Sequence, residues 1–180
     1  AGVVGLPGGG LVALPDTVSD AAAAMAEPLA AGLDGASRLP ESNDPVLLIG
    51  DGRLAQLTAR VRRFLHRRTV HAIGRSERKL EFLRETGVEI VAVEPEREYS
   101  SIIETSGSPS GLMTALNAAI PEATIVMKST YAETLELDPS RIAVDELRVI
   151  GSRCGDVEGA VKMLSEGVIK VEDLIDEVYP

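Results

Sequence analysis

The stretch VLLIGDGRLAQLTARV, residues 46–61, holds the residues whose types and spacing most plainly suggest chemistry. An apolar run ends in Gly50-Asp51-Gly52, and Arg53-Leu54-Ala55 opens a helix-like pattern. Glycines at this spacing, between a strand and a helix, are the context a dinucleotide fingerprint requires. In Gly50-x-Gly52-x-x-Ala55 the first glycine permits the tight turn, and the second has no side chain to block a pyrophosphate. Ala55 is small enough for the helix to sit close on the strand. The helix then turns its unpaired N–H groups and its positive end toward the phosphates. The plain alternative is a structural turn that carries glycines and binds nothing.

The next strand selects between the two nicotinamide dinucleotides. An NAD site usually places Asp or Glu at its tip, ~20 residues beyond the glycines, to hold the ribose hydroxyls. Here TVHAI runs into Gly74-Arg75-Ser76, with no carboxylate at the tip. A carboxylate would repel a 2′-phosphate, whereas Arg75 with Ser76 and Lys79 would attract one. The pattern predicts NADP(H), with NAD still possible; the alternative is that Arg75 points into solvent. Three further groups follow strands: Glu104-Thr105-Ser106-Gly107, Lys128-Ser129-Thr130 and Gly151-Ser152-Arg153. Ser106, Gly107, Ser129 and Ser152 are small enough to admit a ribose or nicotinamide ring at that edge, though loops there are also needed to turn the chain.

These groups need a scaffold that brings strand ends to one edge. Apolar runs at 46–49, 69–73, 89–93, 101–104, 124–127 and 147–150 read as strands. Amphipathic stretches at 54–65, 77–85, 111–119 and 157–165 read as helices between them. Near-continuous apolar strands alternating with helices predict an α/β fold, a doubly wound six-stranded parallel Rossmann sheet with helices on both faces. Before this block, GLVALPDTVSD at 10–20 suggests a short strand and a helix cap. Residues 20–36 read as a helix interrupted at Pro28, and RLPESNDP at 38–45 as a loop.

Composition bounds the function. With 180 residues the chain has room for one full core. A net charge of -10 disfavours a phosphate backbone, so nucleic acid is not expected as a partner. The basic cluster from Arg60 to Arg68 reads as cations at a helix C-terminus. The lone Cys154 excludes an internal disulfide and suits a reducing compartment, the cytoplasm by default. No apolar run approaches the ~20 residues of a membrane span, and the alanines at 21–24 read as helix, not leader. The sequence starts at Ala1, which suggests processing or a piece of something longer.

With the glycine turn placed, the flanking motifs resemble a known family. LPDTVSDAAAAMAEPLAAGLDGA is similar to the domain junction of zinc-type medium-chain alcohol dehydrogenases. IGDGRLAQLTARV, GRSERKLEFLRETGVE, IIETSGSPSGL, TIVMKSTYAE and VDELRVIGSRCGDVEGAVKMLSEG follow in that family's order. KSTYA and VDELRVIGSRCG look most like a poorly characterised branch of alcohol-dehydrogenase-like proteins. The resemblance spans nearly all of residues 6–180. It implies an oxidoreductase that moves a hydride between an alcohol or carbonyl and NAD or NADP, with zinc as Lewis acid. It implies that residues 1–36 are the remnant of a GroES-like catalytic domain with the junction, and 37–180 the dinucleotide-binding domain. It makes Glu27 a candidate zinc ligand or near-ligand, the alternative being a helix cap or salt bridge.

The family's upstream Cys and Gly-His-Glu ligands are not present, nor is its four-cysteine zinc lobe. His66 and His71 lack ligand spacing to each other or to Cys154 and read as structural. The chain ends at Tyr179-Pro180, before the family's returning helix and strand. The expectation is thus the cofactor portion of a dehydrogenase, binding a dinucleotide but not turning over alone. A parent enzyme would act on a small alcohol or carbonyl compound. A stand-alone nucleotide-sensing protein and a zinc-free reductase are the competing readings, the latter disfavoured by Glu27-Pro28-Leu29. The family's pairing habit makes 144–150 a candidate sheet edge for a homodimer.

Overall fold

A computed structural model describes residues 11–91 and 97–175. Its frame is a six-stranded sheet in the order β3-β2-β1-β4-β5-β6, with all neighbouring strands parallel. The strands are β1 (Val46–Ile49), β2 (Val70–Ile73), β3 (Glu89–Ile90), β4 (Tyr99–Glu104), β5 (Ala119–Met127) and β6 (Arg148–Gly151). The helices are α1 (Asp20–Ala23), α2 (Ala26–Ser37), α3 (Arg53–Arg60), α4 (Glu77–Glu85), α5 (Pro109–Ala118), α6 (Ser140–Val144) and α7 (Val157–Ser165). The strand order reverses between β1 and β4, and this leaves a crevice beyond their carboxyl ends, the usual ligand position in such sheets.

Alternation along β1 divides the core. Leu47 and Ile49 join Ile102, Ile125, Leu112 and Leu116 on the α5 side. Val46 and Leu48 join Ala55, Ala59, Leu80, Leu83, Ile103 and Val126 on the α3 and α4 side. A further apolar cluster links α2, α3 and α7 through Leu29, Leu57, Val61, Ala160 and Ile169. Each fully buried Leu or Ile stabilises the fold by about 1.5–3 kcal/mol. Aliphatic side chains fill the sheet–helix layers, as the scarcity of aromatic residues requires.

Several local expectations are corrected. Residues 11–15 carry no strand: among the described residues no neighbouring strand pairs with them, and Pro15 has no N–H to donate. Gly10 of that expectation lies outside the described residues. The helix break falls at Ala24 and Met25, before Pro28, which sits in the first turn of α2. Proline is tolerated there because first-turn N–H groups lack intrahelical partners anyway. Past Arg60, α3 widens into a π-helical turn over Val61–Leu65. β5 begins at Ala119 and accommodates Pro121 and Glu122 at an irregularity, where the β4–β5 pairing skips between Tyr99 and Ser101. Helix α6 was not expected. Residues 92–93 of the expected third strand and the ending at Tyr179-Pro180 lie outside the described residues. Within those residues no helix is long and apolar enough to cross a membrane.

The arginine cluster closes the opposite side of the fold. Arg60 is buried; its Nη1 donates to the Lys170 carbonyl at 2.5 Å and its guanidinium pairs with Asp173. Arg62 is buried too, donating to the Ala36 carbonyl at 3.1 Å and meeting His66 Nδ1 at 2.9 Å. Burial pushes its guanidinium pKa down to about 10. These arginines hold α3 to α2 and to the segment after α7.

Candidate functional site

The two glycines of the turn obey different constraints. Gly50 has φ of 125°, a conformation L side chains rarely adopt, and an added Cβ would lie 2.7 Å from Thr105 Oγ1. Thr105 is fixed in turn by donating to the Ile49 carbonyl at 2.9 Å. Gly50 is therefore demanded by the junction of β1 and β4. Gly52 has an ordinary φ of -70°, and a Cβ there would meet nothing within 4 Å. Neither backbone nor packing requires glycine at 52; its small size keeps open space outside the chain. Gly52 also gives α3 no side-chain cap hydrogen bond.

A cleft of about 220 Å³ opens above this turn. Its walls include Gly50, Asp51, Gly52, Gly74, Arg75 and Lys79 on one side, with Ser106, Ser110 and Gly111 on the other. A second depression shares Asp51 and Lys79 and adds Arg53, Arg78 and Phe82. The glycine turn and Gly74, Arg75 and Lys79 after β2 thus line one cleft. Leu54, Ser76, Gly107, Ser129 and Ser152 are not among the described lining of the cleft. Ser76 lies just behind it, and Gly107 N donates to Ser129 Oγ at 2.7 Å.

One expectation needs correcting in space. The sequence shows no carboxylate at the tip of β2, yet one stands there. Asp51 Oδ2 accepts from the backbone N–H of Arg75 at 2.6 Å and of Ser76 at 2.8 Å. Asp51 Oδ1 lies 3.9 Å from Lys79 Nζ. A Cβ at Gly74 would fall 2.7 Å from Asp51 Cβ and 2.8 Å from Oδ2. Arg75 does not point freely into solvent either: its Nη2 donates to Ser110 Oγ at 2.8 Å, across the cleft.

Two buried polar groups nearby were missed as a pair with their partners. Glu104 is fully buried at the end of β4; Oε1 accepts from Ser106 N at 2.7 Å and Ser106 Oγ at 2.5 Å. Its Oε2 has no hydrogen-bond partner among the described residues. Lys128, 9% exposed, donates to Ser152 Oγ at 2.7 Å, and Ser152 donates to Asp34 Oδ2 at 2.6 Å. Burial pushes the Lys128 pKa below its ordinary value, against the pull of Asp34. The Arg38 guanidinium, bonded to Asp34 at 2.8 Å, holds that carboxyl below the usual carboxylate range. Ser152 therefore ties α2 to the ends of β5 and β6. Only a contact between α2 and those strands would have revealed this, and no sequence spacing encodes it.

Glu27 sits exposed in the first turn of α2. Among the described residues no group of three His, Cys, Asp or Glu side chains is placed to hold a metal ion. The described residues do not compose a zinc site. His71 Nδ1 meets the Tyr99 hydroxyl at 2.8 Å, with the rings edge-to-face at 5.6 Å, a structural contact. His66 is likewise occupied with Arg62.

No protein-family model matches the chain. It is 28% identical over 182 residues to the starvation-sensing protein RspB of Escherichia coli strain K12, covering 92% of this chain and 53% of that protein. It superposes with a TM-score of 0.84 on the crystal structure of a short chain alcohol dehydrogenase (RspB) from E. coli CFT073 complexed with NADH. That pair is 26% identical, over 94% of this chain and 55% of the other. Galactitol-1-phosphate dehydrogenase from E. coli follows at 25% identity and a TM-score of 0.76, with 91% and 54% covered. The chain spans about half the length of the curated relative it matches. The resemblance to alcohol-dehydrogenase-like proteins is borne out, as is the Rossmann-type fold.

Proposed function

We propose that this chain is the nicotinamide-dinucleotide-binding portion of an alcohol-dehydrogenase-like oxidoreductase whose parent moves a hydride between an alcohol and a carbonyl. The observation that carries the reading is Gly52, a glycine that neither its backbone nor its packing needs. The open face it leaves fits a pyrophosphate, with the first-turn N–H groups of α3 as donors. The NADH held by the RspB structure supports a dinucleotide in the corresponding fold. Bound there, the dinucleotide supplies the hydride chemistry. The chain's own residues bind and orient: Gly50 sets the turn, α3 receives the phosphates, and Arg75 and Lys79 face the ribose end with Ser76 behind them.

We assign the preference to NADP(H), because Arg75 and Lys79 stand beside Gly74, where a β2 carboxylate would otherwise point at the ribose. Glu27 is proposed as a single carboxylate directed at a metal whose other ligands are not in this sequence. Residues 1–36 are proposed as the remnant of a GroES-like catalytic domain together with the interdomain junction. The outer edge of β6, with Val149 37% exposed, is proposed as the pairing edge of a homodimer. The exposed, unpaired Cys154 suits a reducing compartment such as the cytoplasm.

Calorimetric titration of the chain with NADPH and with NADH, repeated on Arg75→Ala, tests this. Tighter NADPH binding that is lost in the variant is the expected result. Binding of neither cofactor would overturn the dinucleotide reading; equal binding of both would overturn the NADP preference. NADPH oxidation with carbonyl compounds, and NADP+ reduction with alcohols, are expected to be absent for this chain alone.

A further inference from the structure

Positions 51 and 74 share one volume, because a Cβ at 74 would overlap Asp51 at 2.7 Å. A side chain at the tip of β2 and the Asp51 carboxylate in its present place exclude one another. We infer that Asp51 is the positioning residue that makes this ribose subsite selective: from the glycine turn it fixes the Arg75–Ser76 turn and so presents Arg75 and Lys79 to a 2′-phosphate. The inference rests on the dinucleotide reading above and assigns the determinant of its selectivity.

The hydrogen bonds give the reason. A carboxylate at the tip of β2 ordinarily spends its oxygens on ribose hydroxyls. Asp51 spends Oδ2 on two backbone N–H groups of the protein, at 2.6 and 2.8 Å. Bonds from amides to an ionised acceptor are among the stronger ones, so they tie the β2–α4 turn to the glycine turn. Its remaining oxygen faces Lys79 at 3.9 Å. The charge is thus directed inward at protein donors, and the local sum over Asp51, Arg75 and Lys79 is one positive charge. Arg75 carries five N–H donors, and the one bonded to Ser110 holds the guanidinium over the cleft. A 2′-phosphate beside it would meet a fork already aimed. Gly50 N also donates to the Ile73 carbonyl at 2.8 Å, and the Asp51 side chain extends that hold from the end of β2 to Arg75 and Ser76.

The test uses the full chain and two variants, Asp51→Ala and Asp51→Asn. Dissociation constants for NADPH and NADH, thermal midpoints and amide proton shifts of Arg75 and Ser76 are measured on each. Losing two charge-assisted bonds in Asp51→Ala is expected to weaken NADPH by about tenfold or more, with NADH changed by less than about threefold. The NADPH-to-NADH ratio then falls toward one. Asp51→Asn, which keeps one acceptor oxygen, is expected to lie between. The amide protons of Arg75 and Ser76 are expected to sit downfield in the wild type and to move upfield in Asp51→Ala, with or without cofactor. Tighter NADPH binding in either variant would overturn the inference, since the carboxylate would then be a repeller. So would an equal loss of both cofactors, or unmoved amide shifts. Failure of the wild type to bind either cofactor would overturn the dinucleotide reading and this inference with it, and is a different result from equal loss.

Discussion

Alanine at Gly50 and alanine at Gly52 should fail in opposite ways. At 50 the alanine must adopt φ of 125° and place its methyl 2.7 Å from Thr105 Oγ1, with the Thr105 carbonyl region at 3.0 Å. Strained backbone costs about 1–3 kcal/mol, and forcing an extra methyl into a packed junction about 1–3 more. Thr105 cannot swing away cheaply, because it is bonded to the Ile49 carbonyl and its backbone N–H serves the same oxygen. The expected loss is therefore about 2–6 kcal/mol, or about 4–24 °C in midpoint at about 2–4 °C per kcal/mol. At 52 the methyl meets nothing within 4 Å and the backbone is already extended. Stability should hold or rise by about 0.4–1 kcal/mol, because alanine restricts the unfolded chain. NADPH affinity, however, should fall, because the methyl enters the space left for the pyrophosphate, and Gly52→Val should weaken it further. Urea unfolding and calorimetric titration of both variants separate the two effects. Destabilisation of Gly52→Ala beyond about 1 kcal/mol, or unchanged NADPH affinity in Gly52→Val, would refute the argument that this glycine is kept for a ligand.

Three further outcomes are expected. Burial, with Arg62 and Arg68 nearby, holds the His66 pKa below its usual 6.5, so the unfolded chain binds that proton more readily than the folded one. The contribution is full above pH 6.5 and is lost as pH falls through 6.5 to the folded value; His66→Gln should flatten that step in stability measured against pH. Asp173→Asn should cost about 1–3 kcal/mol, because Arg60 is buried and would keep only carbonyl and amide partners, and a chemical denaturation curve reads this directly. Val149→Lys on β6 should leave the fold intact, since that side chain is partly exposed, and should convert the proposed homodimer to monomer in sedimentation. A wild-type chain that sediments as a monomer throughout would remove the pairing proposal.

The scaffold was legible because it rests on patterns local in sequence. Val46 to Ile49 is apolar at every position, which suits a strand covered on both faces, and its shortness with the Gly50 turn at its end tells it from a buried helix. The strand expected at 101–104 is observed as Tyr99–Glu104, and the amphipathic helix expected at 157–165 is observed at Val157–Ser165. What failed were places where a distant partner decides. Leu11–Pro15 looks like a strand by composition, but a strand needs a neighbour. Pro28 looks like a helix break until its position in the first turn of α2 is known. Arg60 and Arg62 read as cations at a helix C-terminus, and only Asp173 and the Ala36 carbonyl show why they are buried.

The site shows the same division more sharply. Gly50 and Gly52 were found together by spacing, but their sequence symbols are identical while their reasons are not; only φ and the surrounding atoms distinguish them. The tip of β2 was read by position, and position 74 has no carboxylate. The carboxylate that fills the place comes from Asp51, and it can do so because Gly74 leaves the volume empty. An aspartate inside a glycine turn, paired with a glycine where the acid is customary, is a signal carried by two residues, neither informative alone. The same exchange explains why a carboxylate near Arg75 does not argue against a phosphorylated ribose: its bonds are to Arg75 N and Ser76 N, so its charge is used to shape the cationic turn. If Asp51 acts as proposed, cofactor preference in this cleft is set by which donors the carboxylate faces. A Gly74→Asp variant, which must displace Asp51 from those two amides, should shift the chain from NADPH toward NADH in competitive titration.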